Sequence, residues 1–460
     1  MKLTRWMAVA ALLSAQTGYV LAQDQGDELK RLKQQLQELD QKVRILERSK
    51  ELEAETAEAK AKTLPTVNLG ANGFSLQSAD TNFVLAFHGV LQVDNRTFFH
   101  DGGISGNDGF LLRRARPILQ GTLFRDFDFL FVPDFGGSTA QIFDASMNYR
   151  YEPWLQLKAG KFKTPIGLEQ LQADVNLTFN ERSLVTDLVP NRDVGFQLWG
   201  DVAGGLLSYA AGGFNGVGDA RNSSNVDFED HRAFAGRLFA QPFKNSDTAA
   251  LKGFGLGLAG SFGNTSSNAT SLPNNNGFGT EGQQAFFAYT NGVVANGDHW
   301  RLSPQGYYYY GPFGLLGEYA ISNQRVSRGP TFAHLEHTAW QVTASYMLTG
   351  EDATYGSVAP KRPFDLSGGG WGAWQLVGRY GELDVDDKTF PAFANPAASA
   401  SGAQAWSVGL NWYLNKNLRV STSYSRTDFD GGGQATGTTG PAAVTRQPEQ
   451  VWLTRLQLAF

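Results

Sequence analysis

The sequence predicts an all-β transmembrane barrel of about 16 antiparallel strands, preceded by a short N-terminal α-helical coiled coil. Three observations lead to this prediction. From residue 83 onward, apolar and polar residues alternate with a period of two. Charged residues make up 18% of the chain and aromatic residues 12%, a balance typical of strands that meet lipid. The first 22 residues have the pattern of an export signal.

The export signal begins with the positive charges of Lys2 and Arg5, continues through an apolar stretch at residues 6–14, and ends in small residues at 20–22. The apolar stretch is too short to span a bilayer. We therefore predict that residues 1–22 are a cleaved signal peptide. No later segment has the ~18 consecutive apolar residues of a transmembrane helix.

Residues 24–62 have the apolar spacing of a coiled coil, with steps that alternate between three and four residues. The residues on this seam are Leu29, Leu32, Leu36, Leu39, Val43 and Leu46. The seam ends where Lys50 and Glu53 occupy the next core positions. A monomeric helix packed on the barrel is the alternative interpretation. Self-association is favoured because an exposed leucine seam would otherwise sit in water. Residues 63–82 are predicted to be a linker.

Residues 83–460 are predicted to form the barrel. Phe83, Leu85 and Phe87 share one face of the first strand, whereas His88 and Gln92 share the other. The same alternation recurs in four later segments, at residues 127–135, 143–151, 406–414 and 418–425. A soluble sandwich also alternates, but basic residues on the polar face favour a water-filled lumen. About 380 residues at roughly 22–26 per strand and loop give about 16 strands.

The polar face of the predicted strands carries basic residues, which we expect to line the lumen. They are Arg114, Arg116, Arg150, Lys158, Arg237, Arg379, Arg419 and Arg455. Guanidinium groups bind phosphate and carboxylate oxygens in pairs, so such a pore would favour anions. Alternatively, arginines that face acidic residues across a porin lumen serve only to create an electric field across it. Acidic residues outnumber basic ones over residues 83–460, so the overall charge does not favour anions.

The segment with the weakest alternation is 160–191, which contains Lys161, Lys163 and Arg182. Its length exceeds that of an ordinary turn, and long loops in compact folds are usually functional. We predict that it folds into the barrel and narrows the pore. The alternatives are a surface loop over the barrel mouth and a contact between subunits.

The sequence predicts no catalytic site, no cofactor, no metal site and no nucleic-acid partner. The chain has no cysteine, which excludes disulfides and cysteine-ligated metals. Residues 255–260 match a dinucleotide fingerprint formally, but they lie in an alternating strand without the required strand–helix–strand context. We interpret His334 and His337 as solvated loop histidines and not as metal ligands.

Several segments resemble the phosphate-selective porin O/P family of Gram-negative outer membranes. They are Phe110–Arg116, Gly121–Phe129, Gly160–Glu169, Phe179–Leu184, Gly409–Asn415 and Leu456–Phe460. The resemblance implies a 16-stranded homotrimeric channel in which basic residues guide anions to a constriction. Carried over by motif, the arginine track would comprise Arg113, Arg114 and Arg116. Lys161, Lys163 and Arg182 would lie on or near the inward loop.

The function expected from these observations is passive diffusion of small anions, such as phosphate or polyphosphate, through the outer membrane. The expected partners are outer-membrane lipid, small anions and two further copies of the chain. The N-terminal helix would lie in the periplasm, where it could contact the cell wall. The alternatives are a general non-selective porin, a protein that tethers the outer membrane to the cell wall, and a barrel hydrolase. A hydrolase would need a Ser/His or Asp/His group at one end of the barrel.

Overall fold

A computed structural model of the chain describes residues 4–61, 63–99, 106–137, 139–223, 232–268, 272, 277–433 and 445–460. The chain divides into two units. The helical unit comprises Met1–Thr66 with Ser78–Asp80, and the barrel unit comprises Val67–Gln77 with Thr81–Phe460.

The helical unit contains one continuous helix, α1, at Thr4–Ala61. It covers residues 4–22 of the predicted signal segment and residues 24–61 of the predicted coiled-coil segment. The seam residues Leu29, Leu36 and Leu46 are 55%, 72% and 62% exposed in the single chain. The helix is therefore as predicted, whereas self-association along the seam stays a prediction. Among the described residues, no helix is both long enough and apolar enough to span a membrane.

In the rest of the described chain, most of the regular secondary structure consists of strands. In chain order they are β1 (Thr66–Gly70), β2 (Gly73–Gln77), β3 (Val84–Phe98), β4 (Gly109–Leu123), β5 (Phe127–Asp134), β6 (Gln141–Glu152), β7 (Leu155–Lys163), β8 (Arg192–Val202), β9 (Leu207–Phe214), β10 (Ala233–Ala240), β11 (Phe254–Asn268), β12 (Phe278–Gly279), β13 (Ala285–Phe287), β14 (Val294–Tyr310), β15 (Phe313–Arg328), β16 (Thr331–Met347), β17 (Ala373–Asp384), β18 (Ala400–Tyr413), β19 (Leu418–Gly431) and β20 (Glu449–Ala459). Two short α-helices are α2 (Leu168–Leu171) and α3 (Ala249–Lys252), and 3-10 helices lie at Leu184–Leu188 and Asp387–Thr389.

The strands close into a barrel. Of the eighteen strands from β3 to β20, β12 and β13 form a separate two-stranded sheet, which leaves sixteen. Each of the sixteen pairs antiparallel with the next, and β20 pairs with β3 from Val451↔Phe98 to Ala459↔Val90. The predicted closed barrel of about 16 antiparallel strands is therefore confirmed. Closure leaves no unpaired edge along the wall, as a membrane requires.

The predicted linker at 63–82 contains a short hairpin formed by β1 and β2. Strand β2 pairs with the first residues of β3, from Phe74↔Phe87 to Gln77↔Val84. Because β20 ends opposite Val90, this part of β3 would otherwise have an open edge, which the hairpin covers. Five-residue strands are too short for their alternation to stand out in the sequence.

Side chains alternate across the barrel wall as the sequence predicts. On β5, Phe127 and Phe131 face outward and are 40% and 41% exposed. On β17, Leu376 and Tyr380 face outward, whereas Arg379 is buried on the inner side. The outer wall is thus apolar and the inner wall is mostly polar, which is the arrangement of a membrane barrel.

Two β-bulges interrupt this alternation at neighbouring places in the wall. Between β3 and β4, Gln92 pairs with Arg114 and Val93 with Leu112, so Arg113 has no partner. Between β5 and β6, Val132 pairs with Asp144 and Pro133 with Ile142, so Phe143 likewise has no partner on the facing strand. A bulge adds one residue to one strand and so reverses the alternation beyond it. Phe143, predicted to face lipid, is therefore buried, only 7% exposed.

The two ends of the barrel differ in their connections. At one end, called here the terminal end because Val84 and Ala459 lie there, most strands are joined by short turns. At the other end, called the loop end, most connections are long. An exception is the connection at residues 348–372, which is long and lies at the terminal end. Two of its residues, Ala353 and Val358, are buried.

Candidate functional site

The connection between β7 and β8, residues 164–191, lies against the inner side of the barrel wall. We call it the inward loop. Its apolar residues Ile166, Leu168 and Leu188 are completely buried. The 3-10 helix Leu184–Leu188 packs against β15, β16 and β17 and against β12. The expected boundary at residue 160 is wrong, because β7 continues to Lys163 in register with β8.

One ion-pair network ties the inward loop to β4 and β20. The Glu181 carboxylate accepts from Arg113 Nε at 2.7 Å and from Arg455 Nη2 at 2.6 Å. Arg455, which is fully buried, also donates to both oxygens of Asp94 on β3. Burial alone would raise the pKa of Glu181, but Arg113 and Arg455 outweigh burial and hold this pKa well below its usual range. Glu181 is therefore an ionised anchor of the loop.

Two further arginines hold the loop from β17 and β19. Arg379 Nη1 lies 2.7 Å from Glu169 Oε1, and its Nη2 lies 2.6 Å from Glu281 Oε1. Arg419 Nη1 donates to the Leu177 carbonyl at 2.9 Å. Both were predicted to line the pore, and the structure places them between the wall and the loop.

A second cluster forms where the loop meets β4 and β7. The carboxylate of Asp174 lies 2.6 Å from Arg182 Nη1 and 3.4 Å from Arg114 Nε, and it also accepts from Arg116. Burial alone would raise the pKa of Asp174, but Arg114, Arg182 and Arg116 hold it well below the usual range. One ionised carboxylate therefore serves three guanidinium groups.

Two more groups complete this cluster. Arg116 Nε also donates to Asp134 at 2.6 Å, and Lys163 Nζ donates to the Gln172 carbonyl at 2.7 Å. We define the eyelet cluster as Arg114, Arg116, Lys163, Arg182, Asp134 and Asp174. Counted by formal charge, four basic groups less two carboxylates give the eyelet cluster a net charge of +2.

Arg116 is held in place by a stack that the sequence did not reveal. Its guanidinium carbon lies 3.7 Å from the centre of the Phe143 ring, and that of Arg192 lies 3.4 Å from the same ring centre. Arg192 also donates to Asp144 at 3.1 Å. Arg192 and Phe143 are thus residues of the site that sequence analysis missed. The β-bulge that turns Phe143 inward leaves no trace in simple alternation.

The remaining predicted residues lie elsewhere on the wall. Lys161 and Lys163, predicted to lie on or near the inward loop, belong to the end of β7, which directly precedes the loop. Lys161 Nζ donates to the Ser223 carbonyl at 2.8 Å. Arg150 pairs with Asp128 at 3.0 Å near the terminal end. Lys158 and Arg237 lie on β7 and β10 between these two levels.

Two cavities lie on either side of the eyelet cluster. The loop-end cavity has a volume of about 570 Å³, and Arg113, Arg114, Arg182 and Arg221 contribute to its lining. The terminal-end cavity has a volume of about 630 Å³, and its lining residues are described below. Members of the eyelet cluster line both cavities. The cluster therefore stands between two spaces inside the barrel.

Comparisons with known proteins agree with this architecture. The family model described as phosphate-selective porin O and P matches residues 87–460. The chain belongs to the phosphate-selective porin O and P family. This porin is 24% identical to Porin O of Pseudomonas aeruginosa over 398 residues, which span 78% of the chain and 86% of that relative. The family and the closed barrel indicate a channel of the Gram-negative outer membrane and not an enzyme.

Solved structures of other outer-membrane proteins have the same fold. The outer-membrane channel DcaP of Acinetobacter baumannii matches with a TM-score of 0.55 at 11% identity, over 84% of this chain and 99% of that one. A loop-deletion mutant of OmpT, an outer-membrane protein of Vibrio cholerae, matches with a TM-score of 0.51 at 12% identity, over 82% and 100%.

The two histidines predicted to lie in a loop, His334 and His337, lie on a strand. His337 lies on β16 and is buried, with Nε2 2.8 Å from the Tyr289 hydroxyl, so its assignment to a solvated loop is wrong. Strand β16 extends almost to the turn, and its alternation directs His337 inward and leaves His334 exposed. No group of three potential metal ligands occurs among the described residues.

A serine, a histidine and an aspartate also meet, but not in the order of a catalytic triad. The Ser322 hydroxyl donates to Asp219 at 2.6 Å and lies 2.9 Å from His299 Nε2. In a triad, the carboxylate holds the second imidazole nitrogen and leaves the serine free to attack. Here the carboxylate holds the serine itself, and Ser322 is only 1% exposed.

Proposed function

We propose that this porin allows small anions, including phosphate and polyphosphate, to diffuse passively through the outer membrane. The observation that carries the proposal is the eyelet cluster. Three arginines share the single carboxylate of Asp174, and the cluster has a net charge of +2 between two cavities. A positive constriction lowers the energy of an anion and raises that of a cation.

Unsatisfied donors beside the loop-end cavity support the same proposal. Arg221 Nε is buried and has no hydrogen-bond partner among the described groups, and the buried Arg114 Nε has only its ion pair with Asp174 at 3.4 Å. Both arginines line this cavity. An anion that reaches them exchanges hydration water for charge-assisted hydrogen bonds, which are roughly twice as strong as neutral ones. Several such sites of moderate strength suit a channel, because the ion must also leave.

The anchoring arginines fit this mechanism as supports. Arg379, Arg419 and Arg455 bind the inward loop and line neither cavity. They would keep the loop, and with it Asp174 and Arg182, in one position while ions pass. A passing ion then meets charges that are already oriented.

One observation favours a general non-selective porin as the second candidate. Arg379 and Arg455 are paired with carboxylates, so much of the positive charge inside the barrel is compensated. A lumen balanced in this way would admit solutes by size. The reversal potential in a potassium chloride gradient distinguishes the two candidates.

We further propose that the porin is a homotrimer whose signal peptide, residues 1–22, is removed. Residues 24–62 would form a periplasmic coiled coil that can contact the cell wall, and residues 63–82 would connect it to the barrel at 83–460. The exposed leucine seam of α1 supports self-association, since burial of apolar surface is favourable.

The test replaces Arg114 and Arg116 together with glutamine, which lowers the net charge of the eyelet cluster from +2 to zero. We expect the preference for chloride over potassium to disappear in single-channel recordings. The control is Arg150→Gln, which removes a half-exposed arginine near the terminal end and should retain the preference. An unchanged reversal potential in the double variant would refute the proposal and leave the general porin.

A further inference from the structure

The terminal-end cavity differs from the loop-end cavity in the chemistry of its wall. The loop-end cavity is lined by polar side chains, glycines and alanines. The terminal-end cavity is lined in large part by apolar and aromatic side chains, among them Val90, Ile118, Leu130, Val132, Phe162 and Trp199. The inner wall of the barrel is therefore not uniformly polar, and an ion that leaves the eyelet cluster enters a space whose wall combines apolar side chains with charged ones.

Lys158 lines this cavity and lies beside two aromatic rings. Its Nζ lies 5.3 Å from the ring centre of Trp199 and 5.5 Å from that of Phe162. It makes no hydrogen bond and no ion pair with any residue that the structure describes. Trp199 is fixed by a hydrogen bond from its Nε1 to Asn148 at 2.8 Å. The ammonium group and the indole ring are thus held side by side.

Arg237 on β10 is a second cation that lies against an aromatic ring. Its guanidinium carbon lies 4.5 Å from the centre of the Phe239 ring, which in turn lies 5.0 Å from the ring of Tyr307. Its Nε donates to Gln305 at 2.9 Å, and no carboxylate of the described residues pairs with it. Lys158 and Arg237 line the same cavity, so two cations without a close carboxylate partner among the described residues face one space, which Asp144, Asp174 and Asp201 also line.

We propose that the terminal-end cavity binds organic anions that combine a carboxylate or phosphoryl group with an apolar body. The inference rests on the proposed anion channel and names a class of solute for it. The acidic group would contact Lys158 or Arg237, and the apolar body would cover the wall formed by Ile118, Leu130 and Val132.

The physical chemistry of the wall distinguishes this class from inorganic ions. An inorganic phosphate would satisfy the cations but leave the apolar wall in contact with water. An amphiphilic anion covers both and so gains the free energy of apolar burial as well. A cavity of about 630 Å³ falls within the range of small-molecule sites. A planar ring can also stack on Trp199 or Phe162.

The experiment compares benzoate with acetate as blockers of the chloride current through the complete porin in a planar bilayer. Both carry one carboxylate, and only benzoate has an apolar ring. We expect benzoate to halve the current at a roughly tenfold lower concentration than acetate. Block of the same current by inorganic phosphate measures binding at the eyelet cluster.

Two variants locate the effect. Trp199→Leu removes the ring beside Lys158. The benzoate concentration that halves the current should then rise close to the acetate concentration that does so. Its control is Phe196→Leu on the same strand, which faces outward and is 56% exposed. Lys158→Met should weaken the block by both carboxylates several-fold. Its control is Lys252→Met in α3, where no residue is buried.

The outcomes separate this inference from the proposed function. Equal block by benzoate and acetate in the unmodified porin would overturn the organic-anion site, as would a Trp199→Leu variant that behaves like Phe196→Leu. Loss of anion preference in the unmodified porin would overturn the proposed function. In that case, block by benzoate and by acetate is measured on the potassium current, and the comparison still tests the organic-anion site. Should Trp199→Leu fail to assemble, Lys158→Met gives the decision.

Discussion

Replacing Asp174 with asparagine should increase the anion preference of the channel. Asp174 is the shared partner of Arg114, Arg116 and Arg182, and its side chain is buried. Asparagine has nearly the same shape and can still accept hydrogen bonds from one or two of the arginines. The substitution therefore raises the net charge of the eyelet cluster from +2 to +3 with little change in volume.

The size of the effect follows from Coulomb's law. An anion that passes about 5 Å from the added unit charge gains about 0.8 kcal/mol if the surroundings screen as bulk water does. That corresponds to an about fourfold increase in the occupancy of the constriction by anions. Weaker screening inside the narrow lumen would make the increase larger, so fourfold is the lower bound.

The assay is the reversal potential in a potassium chloride gradient, from which the permeability ratio of chloride to potassium is calculated. The matched control is Asp128→Asn, which also removes a carboxylate from an arginine pair, but near the terminal end. A ratio that stays constant or falls in Asp174→Asn, with single-channel conductance unchanged, would refute the assignment of selectivity to the eyelet cluster. Conductance is the second readout, because a displaced inward loop would widen the pore.

Three further predictions concern stability, assembly and pH. Glu181→Gln should lower the thermal unfolding temperature and increase current noise, since Arg113 and Arg455 lose an ionised partner and breaking such a buried pair costs about 3–5 kcal/mol. Deleting residues 24–62 should reduce the trimer in cross-linking experiments while the barrel keeps its β-sheet circular dichroism, and monomers before and after deletion would contradict the trimer. Burial and nearby acidic charge raise the pKa of Asp187, so this residue stays neutral up to a higher pH than an ordinary aspartate. Anion preference should decline as pH rises through that raised pKa, because a negative charge then forms beside the loop-end cavity. The stability that the buried neutral carboxyl contributes is lost over the same rise in pH. Asp187→Asn should remove the pH dependence of the anion preference.

The sequence predicted the barrel because lipid and water impose opposite demands on successive side chains. Phe127 and Phe131 meet lipid, and Arg379 and Arg455 on other strands face inward, so the period of two can be read without any knowledge of contacts. The identity of the basic inner residues was predicted in the same way. Their roles could not be, because alternation tells which side of the wall a residue faces and nothing about what lies opposite.

The path of the inward loop decides which inner arginines anchor it and which belong to the eyelet cluster. Glu181 and Asp174 lie seven residues apart in one loop, yet Glu181 binds Arg455 and Arg113, whereas Asp174 binds Arg182 and other arginines of the eyelet cluster. Of these partners, Arg113 and Arg455 lie on strands far apart in sequence, β4 and β20. Nothing in the local pattern of the loop indicates which strand each carboxylate will meet.

By itself, then, the sequence determined the strands, their lipid-facing and inner faces and the helical leader, because each depends on spacing between near neighbours in the chain. Only the tertiary structure decided that Lys163 belongs to the wall, that Phe143 turns inward to stack between two arginines, and that members of the eyelet cluster line two cavities. The reason is that bulges, loop paths and ion pairs arise where distant segments meet. Their energies depend on burial and on partners that closure of the barrel brings together.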